Sequence, residues 1–165
     1  MQPCQNPRMA PANELRQAIK RRFYPFAEGA GFVRAKSTHP HFTTFRRHRT
    51  GVLHVFDVQW DKYHRPRFVL NFGEAPGGDL ELHGLRVAAA DIEPVHCEPS
   101  GRLQRRRGGS MSCWFQLRKP LFEILTTRSA RYPPDEVVDQ LIQAFGEVEE
   151  WWRTKHEGQH IYRPR

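Results

Sequence analysis

Val52-Leu53-His54-Val55-Phe56-Asp57-Val58-Gln59-Trp60 and Arg67-Phe68-Val69-Leu70-Asn71-Phe72-Gly73, joined by the polar link Asp61 to Pro66, form the stretch that decides the fold. Both runs are rich in β-branched and aromatic residues, which favours strands over helices. Side chains alternate across a strand, so His54, Phe56, Val58 and Trp60 share one face, and Leu53, Val55, Asp57 and Gln59 share the other. In the second run Phe68, Leu70 and Phe72 oppose Arg67, Val69 and Asn71. The expected core is therefore Phe56, Val58 and Trp60 beside Phe68, Leu70 and Phe72. The other face carries Asp57, Gln59, Arg67 and Asn71, the candidate ligand-binding residues if nothing covers it.

Upstream, Phe42 to Arg49 is a further β-branched and aromatic run, and Thr50-Gly51 turns it into Val52 as a hairpin. Before it, Leu15, Ala18, Ile19, Arg22, Phe23 and Phe26 recur at helical spacing. Asn13 is the expected N-cap of a helix starting at Glu14, Pro25 should kink or restart it, and Gly29 and Gly31 end it. Downstream, residues 74–109 read as loop with at most a short strand around Leu80 to Val87, and Arg102 to Gly109 as a basic turn. Ser112 to Leu117 reads as a strand, and Leu121 to Leu125 fits either a strand or a short helix. Pro133-Pro134-Asp135-Glu136 opens a last helix, with Val138, Leu141, Ile142, Phe145, Val148 and Trp152 at helical spacing to about His156.

The order predicts an α+β fold in a single domain: an antiparallel meander sheet of about five strands, with N-terminal and C-terminal helices packed on one face. Residues 1–12 are expected as a flexible lead, 13–157 as the domain and 158–165 as a tail. A chain of 165 residues has room for one core of this kind. There is no run of eighteen apolar residues and no apolar leader segment, so a cytoplasmic protein without membrane contact is expected. Cys4, Cys97 and Cys113 are odd in number and far apart, which fits reduced thiols.

The net charge of +8 is uneven: +8 over residues 1–50, −4 over 51–100 and +4 over 101–165. The basic candidates for a polyanion are Arg46, Arg47 and Arg49, with Arg102, Arg105, Arg106 and Arg107. No helix-turn-helix, zinc-finger or RNP signature accompanies them. Catalytic signatures are likewise missing: there is no phosphate-binding loop, no dinucleotide fingerprint and no Gly-x-Ser-x-Gly elbow. His39-Pro40-His41 and His156/His160 have metal-like spacing but lack a third ligand, and His96-Cys97 reads as a buried neutral pair. No metal, cofactor or catalytic residue is expected. Asp57 and Asp61, four apart, could share a polar site, or pair with Arg67 across strands.

Gly31-Phe32-Val33-Arg34, the strand Phe42 to Arg47, Val58-Gln59-Trp60 and Arg67 to Gly73 together resemble the bacterial domain-of-unknown-function family 4304, over roughly residues 14–75. The resemblance implies a small cytoplasmic α+β protein and transfers no activity and no site residue. The Arg-rich loop at 102–107 and the Pro/Gly-rich middle depart from that pattern.

The functional expectation is a non-enzymatic binding or interaction module of a bacterial cytoplasm with a protein partner, as in toxin neutralisation. One alternative is nucleic-acid binding through strand 46–49 and loop 102–107. A second is a hydrolase using Asp57, Asp61 and histidines on the polar sheet face.

Overall fold

The computed structural model describes residues 10–36 and 39–164, so the lead up to Met9, with Cys4, lies outside the described residues. The fold is α+β. Strands β1 (Val33–Arg34), β2 (Phe42–Arg49), β3 (Val52–Trp60), β4 (Arg67–Pro76), β7 (Ser100–Leu103) and β9 (Ile161–Tyr162) line up in that order, all neighbours antiparallel. Strand β8 (Phe115–Gln116) extends β4 beside Arg67 and Phe68, giving seven strands instead of about five. A separate hairpin joins β5 (Leu80–Leu82) to β6 (Leu85–Val87).

The β2–β3 hairpin turns at Gly51, whose φ of +75° suits a residue without Cβ. Its register sets Phe45 opposite Phe56, and β3–β4 sets Phe56 opposite Phe72 and Val58 opposite Leu70. These side chains, with Trp60 and Phe68, are buried against the helices, as the alternation predicts. Burying these seven residues contributes on the order of ten kcal/mol before chain entropy is counted.

The chain is already helical at Ala10, four residues before the expected Glu14, so Asn13 lies inside α1 (Ala10–Ala18) and not at its cap; Ala12 is buried. A π-helical turn, Ile19–Phe23, leads into α2 (Tyr24–Gly29), which restarts at Pro25. Proline lacks the N–H that would bond back to Arg21, and the widened turn accommodates that gap while Ile19 and Phe23 stay buried. The short α3 (Leu121–Thr127) resolves the ambiguous segment as helix. The long α4 (Pro134–Thr154) starts at the Pro-Pro-acid signal. It buries Val138, Leu141, Phe145, Val148 and Trp152 as expected, and also Val137, Ala144 and Trp151. Helices α1 and α4 cover the same sheet face.

Three expectations need correction. Arg102 is not in a turn: Ser100–Leu103 is a strand hydrogen-bonded to the centre of β4. Ser112 to Leu117 is mostly not strand, because a 3-10 turn at Met111–Cys113 leaves only Phe115–Gln116 extended, with Cys113 half-buried in the turn. The C-terminal tail contributes β9, whose Ile161 is fully buried.

The opposite sheet face is half covered. The segment after β4 folds back so that Ile92 and Cys97 close over Leu53, Val55 and Ala75, with Leu80, Val87 and Ala89 packed around them. Gly73 lies directly beneath Cys97; a Cβ there would meet the Cys97 Cβ at 2.4 Å. The remaining half of this face stays open.

Candidate functional site

The open half is a hollow of about 610 Å³ whose floor is built by strand register. Asp57 on β3 pairs with Asn71 on β4, and Asn71 pairs with Arg102 on β7. Antiparallel partners place their Cβ atoms about 5 Å apart, so three polar side chains from three strands meet in one transverse row. Gln59 joins from the next position along β3 on the same face.

Asn71 organises the row. Its Nδ2 donates to Asp57 Oδ1 at 2.8 Å and to Gln59 Oε1 at 2.9 Å, while its Oδ1 accepts from Arg102 Nε at 3.0 Å. Every polar atom of the amide is therefore engaged, which fixes its orientation and theirs. Asp57 is only 6% exposed. Burial pushes its carboxyl up to about 7, the Glu93 carboxylate adds to that, and Asn71 and Arg102 pull in the opposite direction. Around neutral pH this group exists in both charge states.

Arg102 makes no ion pair among the described residues. Burial lowers its pKa, against the pull of Asp57 and Tyr162. Its guanidinium lies 6.0 Å from the centroid of the buried Trp114 ring. Phe42, Pro94, Val95 and Pro164 supply apolar wall, with His39, Glu93 and Ser100 as the remaining polar lining. Val95 is 81% exposed at the rim.

Of the four sequence candidates for a ligand, the structure brings together Asp57, Gln59 and Asn71 and separates Arg67. Arg67 Nε donates to Asp61 Oδ2 at 2.5 Å, and the amide of Tyr63 donates to Asp61 Oδ1 at 2.7 Å. The carboxylates Asp57 and Asp61 thus hold separate partners and do not form a pair. Arg102, one of the polyanion candidates, takes the place expected for Arg67.

That polyanion set does not form one surface. Arg46 lies on the face away from the helices, opposite Val55 in its covered half, and donates from Nε to the Ile92 carbonyl at 2.7 Å. Arg47 lies on the helix side, 6% exposed, with Nη1 and Nη2 donating to Glu149 at 2.9 and 2.7 Å and Nη1 donating to the Ala30 carbonyl at 3.0 Å. Its guanidinium stacks on Phe32, and Nη2 reaches His54 Nδ1 at 3.0 Å. Arg49 is exposed at the hairpin. Arg107 turns to the carbonyls of Ile161 and Gly158. Of this set, Arg105 and Arg106 line one groove together.

His54 is stacked on Trp152, rings 4.6 Å apart and 4° from parallel. Burial and the Arg47 charge lower its pKa to about 4, so it is neutral at pH 7 and can accept from Arg47. His160 binds Glu147 through ring and backbone. The His39 and His41 rings sit 5.5 Å apart, with His64 beyond at 5.9 Å from His41. No group of three His, Cys, Asp or Glu with metal-holding geometry occurs among the described residues. His96 Nδ1 accepts from the Glu93 amide at 3.0 Å, and the buried Cys97 thiol is pushed up to about 12 by desolvation and Glu74. Among the described residues no helix is long and apolar enough to cross a membrane.

Comparison with family models, curated proteins and solved structures finds no match for the chain.

Proposed function

We propose that this chain is a non-enzymatic binding module whose open sheet face captures a small organic anion with an apolar body. The observation that supports this reading is Arg102: a half-buried guanidinium at the floor of a hollow, held through Nε by Asn71 and without a carboxylate partner among the described residues. Asp57, on the other side of Asn71, answers this charge only in part, because burial keeps its carboxyl partly protonated near neutral pH, and a half-buried charge without a full partner is costly. Its planar fork matches a carboxylate or phosphate in two-pronged fashion. Phe42, Pro94, Val95 and Pro164 offer the apolar contact that a ring or short chain would fill, and about 610 Å³ suits a small molecule.

The hydrolase alternative needs paired carboxylates, and Asp57 and Asp61 hold separate partners. Neutralising a protein partner calls for a broad complementary surface rather than a recessed polar floor. Both points favour ligand capture.

The test is ligand-observed NMR with aromatic carboxylates and aryl phosphates, each beside its neutral amide counterpart, at pH 6.5. Anions should bind saturably, and Arg102→Gln should weaken them at least about tenfold, the effect of losing one charge-assisted contact. Arg153→Gln, exposed on α4 and not among the residues that line the hollow, should leave them unchanged. No saturable anion binding, amides bound as tightly as anions, or unaltered binding to Arg102→Gln would each overturn the proposal.

A further inference from the structure

Beyond the hollow, a second concavity of about 600 Å³ opens between the 61–66 link, the 104–112 loop and α3. Its lining includes Arg65, Arg67, Arg105, Arg106, Arg118 and Lys119, and no Asp or Glu. Arg67 is neutralised by Asp61. Arg105 is held by the carbonyls of Arg118 and Ser112 at 3.2 and 3.4 Å, with its Nε buried and lacking a partner. Lys119 Nζ donates to Thr127 Oγ1 at 3.1 Å. Arg65, Arg106 and Arg118 make no side-chain ion pair among the described residues. Like charges collected in one concavity repel, and the arrangement is relieved by an anion with several charges rather than one.

Two exposed aromatic rings belong to the segments that border the concavity, Tyr63 to the 61–66 link and Phe122 to α3. Tyr63 is 62% exposed, with Lys62 Nζ 5.0 Å and the Arg65 guanidinium 5.7 Å from its ring centroid, two cations that a base stacking there would meet. Phe122 is 65% exposed and follows Leu121, which lines the opposite wall. A basic groove tracking a backbone, with open aromatic faces for the bases, is the physical requirement for holding single-stranded nucleic acid. A duplex offers phosphates but hides its base faces. An acidic protein segment would use the cations and leave the rings without stacking partners.

From these two observations we infer that the concavity between the 61–66 link and α3 is a binding site for single-stranded nucleic acid. Arg65, Arg106 and Arg118 contact phosphates, and Tyr63 and Phe122 stack bases. This is a different surface from strand 46–49, whose arginines are divided between opposite faces. It is also separate from the hollow, with which it shares no lining residue.

The experiment is fluorescence anisotropy of the full chain with a labelled twelve-nucleotide oligo-dT and oligo-U, and with a twelve-base-pair duplex. Three phosphate contacts give a slope of about −2 in log K against log salt, a loss of about fifteenfold from 50 to 200 mM. The double variant Arg106→Ala/Arg118→Ala should flatten the slope to about −0.7. Tyr63→Ala and Phe122→Ala should each weaken binding at least about fivefold, and Phe122→Trp should restore it. All four positions are on the surface, so circular dichroism should show an unchanged fold. No binding at 20 mM salt, duplex bound as tightly as single strand, or no effect of the aromatic variants would overturn the inference. Displacement of the oligonucleotide by polyglutamate of equal charge as readily as by unlabelled oligonucleotide would also overturn it, in favour of an acidic protein partner.

Discussion

Replacing Asp57 by Asn should stabilise the protein above neutral pH and leave it unchanged in acid. Asp57 is 6% exposed and its carboxyl is pushed from 3.8 to about 7, mainly by burial. The folded state therefore keeps a proton that the unfolded chain loses above pH 3.8. More protons bound in the folded state means that stability falls as pH rises, here from about 4 to about 7, and is flat beyond. A gap of about three pH units at about 1.4 kcal/mol each makes about 4 kcal/mol. Asn presents the same shape without the titration, and its Oδ1 can still accept from Asn71 Nδ2. His54 complicates the wild-type curve, because its pKa is lowered to about 4. A base kept neutral in the fold makes stability fall as pH drops from 6.5 towards 4, the opposite slope. The two contributions oppose each other across that range, so the wild type alone is uninformative. The difference between variant and wild type isolates Asp57. Urea unfolding at half-unit steps from pH 4 to 8 should show the Asp57→Asn advantage growing from near zero to a few kcal/mol and levelling off above 7. A constant difference across that range would refute the buried, protonatable carboxyl.

Arg47→Met should destabilise by about 3 kcal/mol in urea unfolding, since it strands Glu149 and the Ala30 carbonyl; Glu149 is 38% exposed and can regain water, which keeps the cost at the lower end. Cys97 should resist iodoacetamide at pH 8 in the native state and react on unfolding, read by peptide mass spectrometry, because the thiol is buried and pushed up to about 12. Native labelling of Cys97 faster than of the half-buried Cys113 would contradict the closed cover over Leu53 and Val55.

The core was legible because burial in a sheet obeys a period of two. Phe56, Val58, Trp60, Phe68, Leu70 and Phe72 declare one face by alternation alone, and α4 declares its stripe by helical spacing. The site was legible only in part. Asp57, Gln59 and Asn71 follow from the same alternation, since the polar face is whatever the core face is not. Arg102 did not, because Ser100-Gly101-Arg102-Leu103 has the composition of a turn. What makes it a strand is the free edge of β4 alongside, with Phe72 packed where a Cβ on Gly101 would sit, at 2.6 Å. That is a tertiary cause, and no local propensity reports it.

The arginine runs carry the sharper lesson, since the signal that sorts them was present. Phe45 faces the helices, so Arg47, two residues on in the same strand, must face them too, while Arg46 must not. A basic run in a strand is divided between two faces and cannot act as one patch, however dense its charge. Arg105 and Arg106 follow the end of β7, where the alternation no longer applies, and both reach the same groove; Arg107, next in line, is drawn away by the carbonyls of Ile161 and Gly158. Charge density thus nominates residues, but strand parity and the nearest free carbonyls decide which remain available to a partner. By that criterion Arg102 serves the hollow, Arg47 ties α4 to the sheet, and Arg65, Arg106 and Arg118 are left for a polyanion.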